Sequence, residues 1–308
     1  MTWPLRARLY LLALGALAPF AVTAAVLAAR LIEDERTIVV TEALGRARAI
    51  MTAVDAELEG HIRTTQALAA SRTLEKGDLR AFYDESVRVL SSQPRWLNVG
   101  LQSATGAQLF NAVFAFRSPP TPQVDQDSLE RALESGKPQI GNVAVGPAID
   151  KAATRVRVPV VFDGKVRYVV SVPLKPEVFE TLLRAQRLPG DWTIKLVDGN
   201  GRVVARIPSQ PAGTPVSGEL RVAIKRAPVG YVRERTLEGI ESYTAYASSP
   251  LSGWVLGISV PKSTVEAGDR RTATRIGLTL LAALAAALGL VWLISRRLER
   301  LPPPGPRP

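Results

Sequence analysis

The chain has no cysteine, one histidine, two methionines and an aromatic content of 6% over 308 residues. Without cysteine there is no disulfide, no thiolate metal ligand and no thiol nucleophile. A histidine-based triad or a zinc hydrolase site would have to be built on His61 alone. That residue falls on a helical stretch one turn after Glu57, where a solvated helix face accounts for it. The glycines of Asp198–Gly199–Asn200–Gly201 read as a turn, with no P-loop or dinucleotide fingerprint after them. Ser171 and Ser259 are strand residues before a proline and lack a nucleophile elbow. Asp125, Asp127, Glu130 and Glu134 cluster on a loop and helix rim, which suits solvation better than glycoside chemistry. The expectation is a protein without catalytic residues, cofactor or metal.

A concentrated basic face is also missing. The net charge is +11, but the arginines at each end supply +3 of it, leaving +5 spread with mixed signs over the long middle of the chain. Phosphate-backbone binding needs clustered cations, so no nucleic-acid partner is expected.

What the chain does have is two long apolar runs, Leu9–Ala29 and Ile276–Ile294. About 20 apolar residues suffice to cross a bilayer as a helix, and the first run exceeds the roughly 7–15 residues of a signal-peptide core, which favours an uncleaved anchor. Arg6 and Arg8 before the first run, with Arg296, Arg297 and Arg300 after the second, place both short ends on the cytoplasmic side. The reading is a two-pass protein of a bacterial inner (plasma) membrane with both termini cytoplasmic and a large periplasmic loop, the lipid bilayer being one of its partners. The organisation that follows is a tip and first span (1–30), a stalk helix (31–76), a membrane-distal module (77–187), a membrane-proximal module (188–270), a second span (271–295) and a short proline-rich tail (296–308), with no output domain.

Within the stalk, Val40, Leu44, Ala47, Met51, Val54 and Leu58 recur at spacings of three and four, one face of a helix. Two readings stay open: a parallel homodimer seam, or a helix packed along its own domain. Helices are expected over Asp78–Ser92, Asp127–Glu134 and Leu174–Arg187. Strands are expected over Trp96–Leu101, Gln108–Phe116, Arg155–Phe162, Val166–Val172, Trp192–Val197, Arg202–Ile207, Val229–Thr236, Ser242–Ser248 and Trp254–Val260. Asp163–Gly164 between apolar runs is a strong hairpin signal. The words repeat: Leu101 to Gly106 has the spacing of Leu196 to Gly201, and Val170–Pro173 matches Ile258–Pro261, at offsets of 95 and 88 residues. Two tandem modules are the simplest account; chance agreement of short words is the other.

Leu188–Ile207 and Thr236–Pro261, with the tall first helix and the two strands ending Ser-Val-Pro, resemble the double Cache sensor region of bacterial membrane receptors such as sensor histidine kinases. The resemblance implies an α+β fold of two tandem PAS-like (Cache) modules behind a long N-terminal helix, flanked by two transmembrane helices. It also implies a small ligand in the distal module. For signal transduction the expectation is regulation through the two spans, either of a partner kinase in the membrane or as a truncated receptor. In the distal module Trp96, Asn98, Phe114, Arg117, Arg155, Arg157 and Tyr168 are the candidate ligand-binding residues. Arg155 and Arg157 alternate with valines and share one strand face, and guanidinium groups beside aromatic walls suit an anionic organic ligand. The functional reading is a small-ligand sensor; the alternatives are a tethered protein-binding or assembly factor, or a tethered enzyme.

Overall fold

The computed structural model describes residues 5–146 and 150–298, with part of the side chains of 5–37 and 266–298 left aside. The chain divides into two units, Val40–Pro261 and a second made of Met1–Val39 with Lys262–Pro308.

The Val40–Pro261 unit opens with the latter part of α1 (Leu5–Ala69), then α2 (Arg72–Glu75) and α3 (Leu79–Ser92). A first sheet follows: β1 (Gly100–Ser103), β2 (Gln108–Asn111), helix α4 (Gln126–Ser135), β3 (Gln139–Ile140), β4 (Ala144–Gly146), β5 (Lys151–Phe162) and β6 (Lys165–Leu174). Helix α5 (Glu177–Arg184) leads to a second sheet: β7 (Thr193–Val197), β8 (Val203–Ile207), helix α6 (Gly218–Arg226), β9 (Val229–Arg235), β10 (Glu241–Ser248) and β11 (Val255–Pro261).

Both sheets are antiparallel and share one topology. The first runs β2-β1-β6-β5-β3, with β4 also on β5, and the second runs β8-β7-β11-β10-β9. Each is a strand pair, a helix, then further strands (four in the first sheet, three in the second) whose last member returns to the centre beside the first. The repeated words thus belong to repeated architecture, and α6, which the sequence reading passed over, is the counterpart of α4. Its signals were present: Ser217 caps Leu220 N at 3.2 Å, Glu219 sits in the first turn, and Lys225 and Arg226 close the last.

Local chemistry fixes the other boundaries. Asp163 and Gly164 both have positive φ, 49° and 73°, as a two-residue hairpin between twisted strands requires. Asp78 caps α3 through Ala81 N at 2.9 Å. Strands expected to reach Trp96 and Phe116 are shorter: Trp96 makes an isolated bridge to Leu174, and the chain turns after Asn111.

The apolar face of α1 is filled from within the same unit. Val40, Ala47, Met51, Val54 and Leu58 are buried in the single chain, as a helix packed along its own domain demands. The helix touches both sheet modules. Ser249 Oγ donates to Asp55 Oδ1 at 2.5 Å, and Trp96 Nε1 donates to His61 Nδ1 at 3.1 Å. His61 is therefore 6% exposed, not solvated as the sequence suggested.

The second unit consists of the start of α1 and of α7 (Lys262–Leu298). Here the expectation is corrected. Among the described residues no helix is long and apolar enough to cross a membrane, so the two spans, the two-pass inner-membrane topology and the bilayer as partner are withdrawn. Runs of alanine and leucine are strong helix formers in any solvent, and helix is what the structure retains of Leu9–Ala29 and Ile276–Ile294. Each run is a portion of a longer helix that also carries charged stretches. Of the expected tail, residues from 299 onward lie outside the described residues.

Burial holds the His61 pKa below its ordinary value, with Glu57 opposing and Arg95 reinforcing the shift. The unfolded chain takes up this proton first, near pH 6.5, so the folded state loses stability as pH falls below that point. Gln at position 61 can still accept from Trp96 but does not titrate. Thermal melts of His61→Gln should show a smaller fall in Tm between pH 7.5 and pH 5 than the parent chain; an equal fall contradicts the assignment.

Candidate functional site

Three neighbouring strands of the first sheet, β1, β6 and β5, present polar residues on one shared face. Along the chain Asn98, Gly100 and Gln102 alternate with buried Val99 and Leu101, so one side enters the core and the other faces a small cavity. Arg155 and Arg157 share a face of β5, and Arg157 lies opposite Ser171 of β6. Ser171 in turn lies opposite Gly100. The cavity, about 50 Å³, is lined by these residues with Gln108, Asn111 and the Thr121–Val124 loop.

The two arginines have different surroundings. Arg157 is 1% exposed and makes four hydrogen bonds. Its Nε donates to Ser128 Oγ at 2.7 Å, Nη1 to Ser171 Oγ at 2.9 Å, and Nη2 to the carbonyls of Val124 at 2.9 Å and Asp125 at 3.1 Å. Burial lowers its pKa to about 10, which leaves it a cation at neutral pH. Ser171 passes its own proton to Gln102 Oε1 at 2.5 Å. Arg157 is thereby the pin that ties the Thr121–Val124 loop and the start of α4 to the sheet.

Arg155 is also buried, at 8% exposure, yet its guanidinium donates to one marginal acceptor, Ala153 O at 3.5 Å. Burial lowers its pKa, and the charge of Asp125 opposes that shift. Asn98, 5% exposed, holds its Oδ1 buried with no hydrogen-bond partner. A buried guanidinium and a buried amide oxygen left this way are costly unless something else satisfies them.

Asp125 closes the far side of the Arg157 pin. Its φ is 54°, and Oδ2 accepts from Ser128 Oγ at 2.5 Å. Burial raises its pKa, against the Ser128 hydrogen bond, the Arg157 charge and the Asn142 backbone N–H. A Cβ at Gly141 would overlap Asp125 Oδ2, so glycine is what allows the carboxyl its seat.

Of the candidate residues from the sequence, the cavity gathers Asn98, Arg155 and Arg157. Trp96 instead spends its indole N–H on His61, whose Nε2 lies 3.1 Å from Glu57 Oε1. Phe114 is partly exposed and its carbonyl accepts from Tyr83 Oη at 2.7 Å. Arg117 lies over the Phe116 ring at 5.7 Å, and Tyr168 pairs with Val160 on the hairpin. None of these four lines the cavity. Gln102, Gln108, Asn111 and Thr121 do, and of these Gln102 was legible as part of a polar alternation inside an apolar strand.

The second module fills the corresponding place differently. Ser259 lies opposite Thr244, as Ser171 lies opposite Arg157. Thr244 Oγ1 donates to Glu234 Oε1 at 2.5 Å, and Glu234 forms a buried ion pair with Lys195 and accepts from Ser217. Burial would raise the Glu234 pKa, but Lys195 and these hydroxyls outweigh it and hold it low. This cluster is satisfied internally. Among the described residues, no group of three or more His, Cys, Asp or Glu could hold a metal ion.

No family model and no curated protein matches the sequence. The fold, by contrast, matches solved sensor domains. The extracellular domain of the candidate histidine kinase rpHK1S-Z16 is similar over 74% of this chain and 96% of its own, with 18% identity and a TM-score of 0.62. The ligand-binding domain of the Pseudomonas aeruginosa amino-acid chemoreceptor PctB, in complex with L-Arg, covers 71% of this chain and 93% of its own, at 19% identity and a TM-score of 0.55. The Mlp24 ligand-binding domain with asparagine covers 78% and 99%, at 14% identity and a TM-score of 0.56. The fold is therefore that of the tandem-module sensor domains of histidine kinases and chemoreceptors, as the double Cache resemblance implied.

Two variants test the pin. Gly141→Ala should displace the Asp125 carboxyl and destabilise the chain by about 1–3 kcal/mol, the cost of overpacking. Arg157→Gln strands several buried acceptors and should cost about 3 kcal/mol. Urea denaturation measures both; losses near zero contradict the pin.

Proposed function

We propose that this chain is the small-ligand sensor of a signal-transduction receptor of the histidine-kinase and chemoreceptor type, with an anionic organic ligand bound in the 77–187 module. The observation that carries the proposal is Arg155, a buried cation on a cavity wall whose hydrogen bonds are almost entirely unmade. A ligand carboxylate supplies the acceptors it lacks, in the bidentate geometry that guanidinium favours. The ligands of PctB and Mlp24, an arginine and an asparagine, support a small organic molecule as the occupant of this fold.

Signalling then follows as a population shift. A ligand that binds one closure of the Thr121–Val124 loop better than another biases that closure by its difference in affinity. The loop is joined to the 188–270 module by a short polar relay. Asp125 accepts from the Asn142 backbone N–H, Val143 N donates to Asp198 Oδ2 at 2.9 Å, and Gly199 N donates to Asn142 Oδ1 at 3.0 Å. Asp198 Oδ1 in turn holds Asn200 N and Arg202 N, each at 2.9 Å, and so shapes the Asp198–Gly201 turn. A partner kinase reads the outcome in this proposal.

A thermal-shift screen of the full chain against small organic acids tests the reading. Ligands should raise Tm in the parent chain. Arg155→Gln should fold with stability within about 1 kcal/mol of the parent and bind about 10- to 150-fold more weakly, the loss of one charge-assisted contact. Equal binding by Arg155→Gln, or no stabilising acid at all, contradicts the site.

A further inference from the structure

We infer that the cavity beside Arg155 takes a small carboxylate that carries no ammonium group, such as a short hydroxy acid, and rejects the amino acid of the same shape. The inference rests on the proposed ligand site and adds the chemistry of what enters it.

The composition of the cavity wall decides this. Its polar side chains are amides and hydroxyls, with Asn98, Gln102, Gln108 and Asn111 among them, and its charged side chains are Arg155 and Arg157; among the described residues no carboxylate lines it. An ammonium group placed there faces two guanidinium cations with no anion of its own to meet. Like charges set against each other without water between them are strongly disfavoured. Asp125, the acid whose charge acts on both arginines, has its carboxyl engaged outside the cavity wall. Its Oδ2 accepts from Ser128, its carboxyl takes the Asn142 N–H, and the seat opposite Gly141 fixes its direction.

Two unmet groups state what the cavity does accept. Arg155 offers a guanidinium fork with one marginal bond, at 3.5 Å, which a carboxylate completes. Asn98 offers a buried amide oxygen with no donor, which a hydroxyl O–H satisfies without adding charge. Both residues are more than nine-tenths buried, and the Asn98 amide oxygen is sealed from solvent with no partner. Gly146 allows the approach: a Cβ there would sit 2.9 Å from Arg155 Nη2. The small volume of the cavity favours an acid of few heavy atoms.

Calorimetry of the full chain with matched pairs tests this directly: glycolate against glycine, L-lactate against L-alanine, L-malate against L-aspartate. At least one hydroxy acid should bind, and its amino twin should bind at least about tenfold more weakly, the smallest effect expected of an unpaired like charge. Asn98→Asp, which supplies the missing anion, should narrow or reverse that preference. An amino twin that binds as tightly as the hydroxy acid overturns the inference, and so does binding of none of the hydroxy acids. If the amino acids bind and Arg155→Gln abolishes their binding, the site stands and the ligand class fails. If a hydroxy acid binds equally to the parent and to Arg155→Gln, the site itself is wrong.

Discussion

A guanidinium taken out of water must find an acceptor for nearly every N–H, and Arg157 finds four. Those bonds, to Ser128, Ser171 and the carbonyls of Val124 and Asp125, draw together a helix start, a central strand and an irregular loop. The arrangement creates the cavity. With four of the five Arg157 N–H groups bonded, its neighbour two residues earlier on the same strand face is left facing the space that the pinned loop encloses. Arg155 is costly as it stands, and the proposed ligand carboxylate would offset that cost.

The second module shows the alternative solution on the same topology. Where the first has Arg157 opposite Ser171, the second has Thr244 opposite Ser259, and a buried Lys195–Glu234 pair closes the space with its own charges. In the first module Asp125 is the acid whose charge acts on both arginines, with no direct ion pair to either among the described residues; in the second, Lys195 and Glu234 pair directly. The polar relay from Asp125 through Asn142 and Val143 to Asp198 joins the two. In the proposed division of labour, ligand in one module and response in the other, the two modules differ in which buried charges they pair directly.

Much of this was legible from residue spacing. Period-two alternation placed the β5–β6 hairpin and put both arginines on one face; the Asp163–Gly164 turn and the Asp78 cap behaved as their chemistry requires. Spacing could not tell Arg155 from Arg157, because their difference arises from the Thr121–Asp125 loop, which has no periodicity to read. Trp96 beside Arg95 looked like a ligand wall, whereas its indole N–H needed an acceptor and found His61, 35 residues away along the chain. The apolar runs misled for a related reason: alanine and leucine report helix, and the solvent around that helix is a separate question.

The central claim is that a ligand held at Arg155 alters the second module through the Asp125–Asp198 relay. Backbone hydrogen–deuterium exchange of the full chain, with and without the acid that gives the largest thermal shift, reads it most directly. The account predicts slowed exchange at residues 121–125, at Asn142 and Val143, and at the turn from Asp198 to Arg202. Slowed exchange confined to the second module, or in the cavity loop with none at the Asp198 turn, would contradict it.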